Sequence, residues 1–190
     1  GGGFVKEFDS SSDTPTWDSS PATVDADTTV ASHLYVRVTD TSNHFGTWSW
    51  TPAGAFDVIT VIEVGDEVAS TTVTNASGGL HIQNSDKSVR LLLQINRASA
   101  NYVVGAYTYA SGSYTQRGST GIAVNNRCYL KISRDGSNNV SFWWSITGKI
   151  GTWNQISALS FSITVAYIGF RVFSGNANYS VICDFLRANV

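Results

Sequence analysis

RCYLKISRDGSNNVSFWWSITGKIGTW, residues 127–153, reads as two strands joined by a turn. Cys128, Leu130 and Ile132 alternate with Arg127, Tyr129 and Lys131, the two-residue period of a half-buried strand. Arg134 to Asn138, with Asp-Gly inside it, supplies residues that tolerate positive φ. Val140, Phe142, Trp144 and Ile146 then alternate with Ser141, Trp143 and Ser145. Matching the apolar faces predicts a register with Ile132 opposite Val140, Leu130 opposite Phe142 and Cys128 opposite Trp144. The same register sets Tyr129 opposite Trp143 on the polar face. A pair of large rings there has no explanation in the core.

The rest of the chain has the same texture. Glutamate is scarce (Glu7, Glu63, Glu67) and methionine absent, while Ser, Thr, Asn, Gly and aromatics abound. No window of helical length keeps a 3.6-residue period, so little helix is expected. The 190 residues suit one domain, 1–190 with 1–3 a flexible start, large enough to bury roughly 70% of its unfolded surface. A formal net charge of −2 argues against a nucleic-acid groove or an anionic membrane surface as partner. No apolar run approaches the roughly 20 residues of a membrane span, and no signal-peptide pattern is visible at Gly1. Cys128 and Cys183 both fall in expected strands. They read as buried free thiols, although one disulfide is arithmetically possible.

Outward from the hairpin, strands are expected at 4–8, 33–38, 45–50 and 56–64, with 9–29 a loop anchored by Trp17. A hairpin, 78–84 and 87–97, turns at Asn84-Ser85-Asp86. Its buried face is Leu80, Ile82, Leu91, Leu93 and Ile95, and its other face carries His81, Arg90, Gln94 and Asn96. Residues 101–109 and 113–117 read as tyrosine-rich strands. The run 161–173 is apolar on both faces, as in a strand covered on both sides. Residues 179–187 close a sheet. So many short strands point to an antiparallel all-β sandwich or a closed barrel.

Three segments carry a resemblance. "YLKISRDGSNNVSFWWS…GTW" (129–153), the opening "FVKEFDSSSDTPTW" (4–17) and the closing "AYIGFRVFSGNANYSVICDFLRA" (166–188) resemble the concanavalin A-like lectin/glucanase superfamily. The likeness is to its laminin-G-like branch, of the kind found on phage virion proteins. The resemblance implies a two-sheet antiparallel β-sandwich, the jelly roll, with one concave sheet. It also aligns Asp9 and Asp184 with aspartates of the family's opening and closing motifs. Several relatives bind a structural calcium near the chain ends, so calcium is a possible addition to a protein otherwise expected to need no cofactor.

Catalysis finds little support. Retaining glycoside hydrolases need two carboxylates ~5–5.5 Å apart on one face. The single candidate, Glu63-Val64-Gly65-Asp66-Glu67, has the wrong spacing and a turn inside it. His33, His44 and His81 are scattered, no serine sits in a Gly-x-Ser-x-Gly elbow, and nothing has zinc-ligand spacing. Binding is better supplied: sugar C–H faces stack on aromatic rings, and hydroxyls pair with amides and guanidinium. Trp143 and Tyr129 form the expected platform, with Arg90, Gln94 and His81 as polar partners if their strands share that sheet. Trp48 and Trp50 form a second candidate pair. The expectation is a non-catalytic, lectin-like module that binds a glycan or polysaccharide. The resemblance adds display on a phage particle or tail, contact with other virion proteins and a possible homo-oligomer; failing that, an extracellular site. The rival is a structural virion component, a decoration, cement or fibre domain whose aromatics pack on neighbouring subunits. An inactive or unusual hydrolase is a third reading.

Overall fold

The computed structural model describes residues 2–65, 75–98, 101–122, 126–175 and 179–190. Among them every regular element is a strand: β1 (Phe4–Lys6), β2 (Thr16–Trp17), β3 (Thr23–Ala26), β4 (Leu34–Val38), β5 (Asn43–Ser49), β6 (Phe56–Gly65), β7 (Ala76–Gln83), β8 (Arg90–Ala98), β9 (Asn101–Ala110), β10 (Ser113–Ile122), β11 (Arg127–Arg134), β12 (Asn139–Ser145), β13 (Asn154–Ser160), β14 (Tyr167–Ser174) and β15 (Tyr179–Asn189). They form two antiparallel sheets. One runs β13-β12-β11-β6-β15-β4-β3, with β1 paired to the far half of β15; the other runs β10-β9-β8-β7-β14-β5-β2. Among the described residues no helix is long and apolar enough to cross a membrane.

Alternation determines what each sheet turns inward. Val58, Ile62, Leu130, Ile132, Phe142, Val181 and Leu186 of the first sheet meet Leu80, Ile82, Leu91, Leu93, Ile95, Phe170 and Val172 of the second, all fully buried. This is two inner faces interdigitating in a sandwich. Exposed Arg187 ties β1 to β15 through a two-pronged contact, Nε to Glu7 Oε1 at 2.7 Å and Nη2 to Oε2 at 2.9 Å.

The hairpin has the expected faces but a different register. Ile132 lies opposite Phe142, Leu130 opposite Trp144 and Tyr129 opposite Ser145; Trp143 faces Lys131. The slip is two residues, which leaves every side chain on its face. Its cause is Asp135. Its carboxylate accepts from the backbone N–H of Ser137 at 2.8 Å and of Asn139 at 2.9 Å, and its own N–H donates to Asn139 O at 3.0 Å. The turn is thereby moved one residue along the chain, to 135–139, with Asn138 at φ 62°.

Other boundaries moved too. The run 161–173 is not one strand. Residues 161–166 cross from the first sheet to the second, and Ile163 and Val165 plug the core on the way. Its apolar character serves this crossing rather than a doubly covered strand. The expected loop 9–29 contains β2 and β3, and β13 was not expected at all. Cys128 and Cys183 are buried free thiols that flank Ile62 on its two sides. Two interstrand spacings put their Cα atoms roughly 9–10 Å apart, beyond the ~7 Å a disulfide tolerates.

Candidate functional site

The expected platform does not assemble. Trp143 is half-buried on the outer face of the first sheet, its Nε1–H donating to Ser141 Oγ at 2.8 Å. Lys131 lies between two indoles, its Nζ 5.1 Å from the Trp143 ring centre and 4.8 Å from that of Trp153. That cation–π arrangement occupies ring surface a sugar would need. Tyr129 is a diagonal neighbour of Trp143 rather than its partner. Its ring sits so close under Gly148 that a Cβ there would come within 2.5 Å of it, and Phe185 packs at 6.4 Å.

Arg90, Gln94 and His81 belong to the other sheet, on the opposite outside of the sandwich. The condition for their joining Trp143 is therefore not met. Trp48 and Trp50 form no platform either. Trp50 is buried, its ring 5.5 Å from Phe56, and Trp48 packs edge-on against Phe170 at 6.0 Å and beside Phe8. Trp48 points inward because β5 turns Gly46 and Trp48 toward the core, and Trp50, just past β5, is held by its N–H bond to Ala166 O.

Arg90, Gln94 and His81 do, however, mark a real feature. The outer face of the second sheet holds a cleft of about 570 Å3 lined by Asn75, Ser77, Leu92, Gln94, Asn96, Arg97, Tyr107, Tyr114, Arg171 and Phe173. That volume is in the range of small-ligand sites. Interstrand pairing aligns Arg171, Gly79, Gln94 and Gly105 in one row across β14, β7, β8 and β9. The glycines make the cleft. A Cβ on Gly79 would fall 2.3 Å from Gln94 Cβ, and one on Gly105 would fall 2.8 Å from both Asn96 Nδ2 and Tyr107 Oη. Without them, Arg171 reaches across Gly79 to Gln94, its Nη1 donating to Gln94 Oε1 at 2.7 Å and to Ser77 Oγ at 2.8 Å. Over Gly105, Asn96 Nδ2 donates to Tyr107 Oη at 3.0 Å.

Arg90 borders the cleft. Its Cζ lies 4.8 Å from the Phe45 ring and 4.8 Å from the Tyr109 ring, and its Nη1 donates to Tyr114 Oη at 3.3 Å. His81 lies beneath, fully buried, with its ring 4.6 Å from Phe45. Neither ring nitrogen has a hydrogen-bond partner among the described residues. Burial first, then the charges of Arg90 and Arg171, hold its pKa well below the usual histidine value, so the ring is neutral. Burial also lowers the pKa of Arg171 from its ordinary value.

Among the described residues no Asp or Glu lines the cleft. Glu63 stands on the other sheet, opposite Arg127, and Asp66 and Glu67 lie outside the described residues. Asp184 sits 3.6 Å from Arg127 Nη2, a positive charge beside a carboxylate that calcium would have to claim, and 3.7 Å from His33 Nε2. Among the described residues no three His, Cys, Asp or Glu side chains are grouped to hold a metal.

Sequence reasoning missed Tyr107, Tyr114, Phe173 and Arg171. The alternation Tyr107, Tyr109 was a usable signal, as was a lone arginine, Arg171, inside an otherwise apolar run.

No protein-family model and no curated protein matches the chain. Solved structures do. The chain is similar to a xylan beta-1,4-xylosidase from Bacillus halodurans C-125, at TM-score 0.69 and 14% identity, over 98% of this chain and 39% of that one. It is similar to the exoplasmic/lumenal domain of VIP36 in a Ca2+/Man-bound form, at TM-score 0.65 and 12% identity over 98% and 88% of the two chains. The carbohydrate binding module CBM66 from Bacillus subtilis gives TM-score 0.61 and 15% identity over 93% and 97%. At these identities the likeness is one of fold. Two stacked antiparallel sheets and this likeness give the chain the fold of a two-sheet antiparallel jelly-roll sandwich.

Proposed function

We propose that the chain is a non-catalytic carbohydrate-binding module and that its glycan lies in the cleft on the outer face of the second sheet. The observation that carries this is the lining: Tyr107, Tyr114 and Phe173 offer ring surface, and Asn75, Gln94, Asn96, Ser77 and Arg171 offer polar partners. Sugars need both at once. The likeness to a mannose-bound lumenal domain and to a carbohydrate binding module supports the reading. A non-enzymatic role fits a cleft whose described lining supplies no carboxylate pair for glycosidic cleavage. Glycan-array binding should be saturable, should survive Trp143→Ala, and should weaken roughly 5- to 150-fold in Tyr107→Ala, the scale of one aromatic stacking contact. Loss in Trp143→Ala with Tyr107→Ala intact would move the site to the first sheet. Release of reducing ends from a bound glycan would overturn the non-enzymatic reading.

Display on a phage particle rests on the sequence resemblance. Labelling of intact particles by an antibody to this chain tests it, and labelling of disrupted particles alone would refute it. A structural role held by protein contacts is the second reading. It is favoured by Ile150, fully exposed, and Ile146, 46% exposed, in the loop after β12. Self-association lost on Ile150→Ser would support it.

A further inference from the structure

A second depression lies on the same outer face of the second sheet, toward its other end. Its volume is about 320 Å3, and Gln83, Tyr167, Ser49, Thr47, Asp18 and Lys87 are among the residues that line it. Strand pairing sets Gln83, Tyr167 and Ser49 in one row across β7, β14 and β5. Tyr167 is four residues from Arg171 on β14, which puts the two on one face and roughly 13 Å apart along the strand. Between them Gly169 leaves the face bare, and a Cβ there would collide with Gly46 O.

Gln83 is the residue in this pocket that lacks something. It is 1% exposed, and its Oε1 has no hydrogen-bond partner among the described residues. Its cross-strand neighbour Arg90 turns instead to Lys87 O and Tyr114 Oη. A buried amide oxygen left unpaired costs free energy that a donor on a bound molecule recovers. The rim shows what kind of molecule. Lys87 Nζ donates to Asp18 Oδ1 at 2.8 Å, so these two charges answer one another and ask for no charged ligand. The hydroxyls of Ser49 and Thr47, the Gln83 amide and the Tyr167 ring are the partners of an uncharged, hydroxyl-rich ring. Resting on the carbohydrate reading above, we propose that this pocket is a second sugar subsite. A neutral glycan several units long then runs along the outer face from the cleft to Gln83, and a hydroxyl of one of its units donates to Gln83 Oε1.

The test is calorimetric titration with size series of one to six units: xylo-oligosaccharides, manno-oligosaccharides and the strongest neutral hit from a glycan array. For the wild-type chain, affinity should rise about tenfold or more from the shortest member that binds to the longest. Gln83→Leu and Asp18→Ala should each lose that rise, so that long and short members bind them alike. Asp18 is exposed, so its variant still tests the pocket if Gln83→Leu lowers the thermal midpoint. Wild-type affinity independent of length, or a rise that persists in either folded variant, would overturn the second subsite while leaving the carbohydrate reading intact. Array binding confined to anionic glycans would overturn the neutral-chain assignment. Binding of no array glycan would overturn the carbohydrate reading itself, and this proposal with it.

Discussion

Replacing Phe142 by alanine should destabilise the protein by about 3–5 kcal/mol, whereas the same change at adjacent Trp143 should cost about 1 kcal/mol. Phe142 is fully buried, set between Ile132 on β11 and Ser157 on β13, inside the shared core. Deleting its ring forfeits roughly 2 kcal/mol of burial. A void of roughly 100 Å3 at about 24 cal/mol per Å3 adds about 2.4 kcal/mol where neighbours fail to close it. Their sum falls inside the range measured for buried phenylalanines. Trp143 is larger but half-buried, and its loss removes the contact with Lys131 and one hydrogen bond to Ser141. Urea unfolding followed by circular dichroism reads both, through the midpoint at constant slope. Phe142→Leu serves as a control and should cost less than Phe142→Ala. A Trp143→Ala loss equal to or above that of Phe142→Ala would refute the inward and outward assignment of β12.

Arg134 is buried, its Nη1 donating to Ile163 O at 2.6 Å and its Nη2 to Gly54 O at 2.5 Å. Arg134→Met should cost about 2–4 kcal/mol by urea unfolding, because two carbonyls lose a charged donor. His81 should make stability fall on the acid side. Its folded pKa is depressed, so below the unfolded value of about 6.5 only the unfolded chain takes up the proton, and stability drops by up to about 1.4 kcal/mol per pH unit until the folded pKa is reached. Comparing pH profiles of the wild type and His81→Leu isolates this contribution; identical slopes from pH 6.5 to 5 would contradict it. Burial pushes the Cys128 thiol up to about 12 and the Cys183 thiol well above its usual value, so an aromatic disulfide reagent at pH 8 should label neither until denaturant is added. The same raised values mean that the thiols take nothing from stability below about pH 8.5 and lower it as the pH climbs from there toward 12.

Much of the fold was legible because strand alternation is a local signal. The faces of β6, β8, β11 and β12 follow directly from where Val, Ile, Leu and Phe recur. What alternation leaves undetermined is pairing. A slip of two residues keeps every face, so the hairpin register depended on how Asp135 capped its turn. Sheet membership is long-range as well. Nothing in the sequence near Arg90 or Trp143 says that their strands lie on opposite sides of the sandwich. The cleft is harder still, because its row of Arg171, Gly79, Gln94 and Gly105 comes from four strands and is shaped by two absent side chains. Gln94 was singled out as a polar residue on a strand face. Arg171 was not, because the run around it read as core.

The most direct test of the account maps the site with amide NMR, titrating the labelled protein with the tightest-binding glycan from the array. The account predicts saturable shifts centred on Gln94, Asn96, Tyr107, Tyr114, Arg171 and Phe173, with Tyr129 and Trp143 unmoved. Shifts centred on Tyr129, Trp143 and Trp153, with the cleft residues silent, would contradict it.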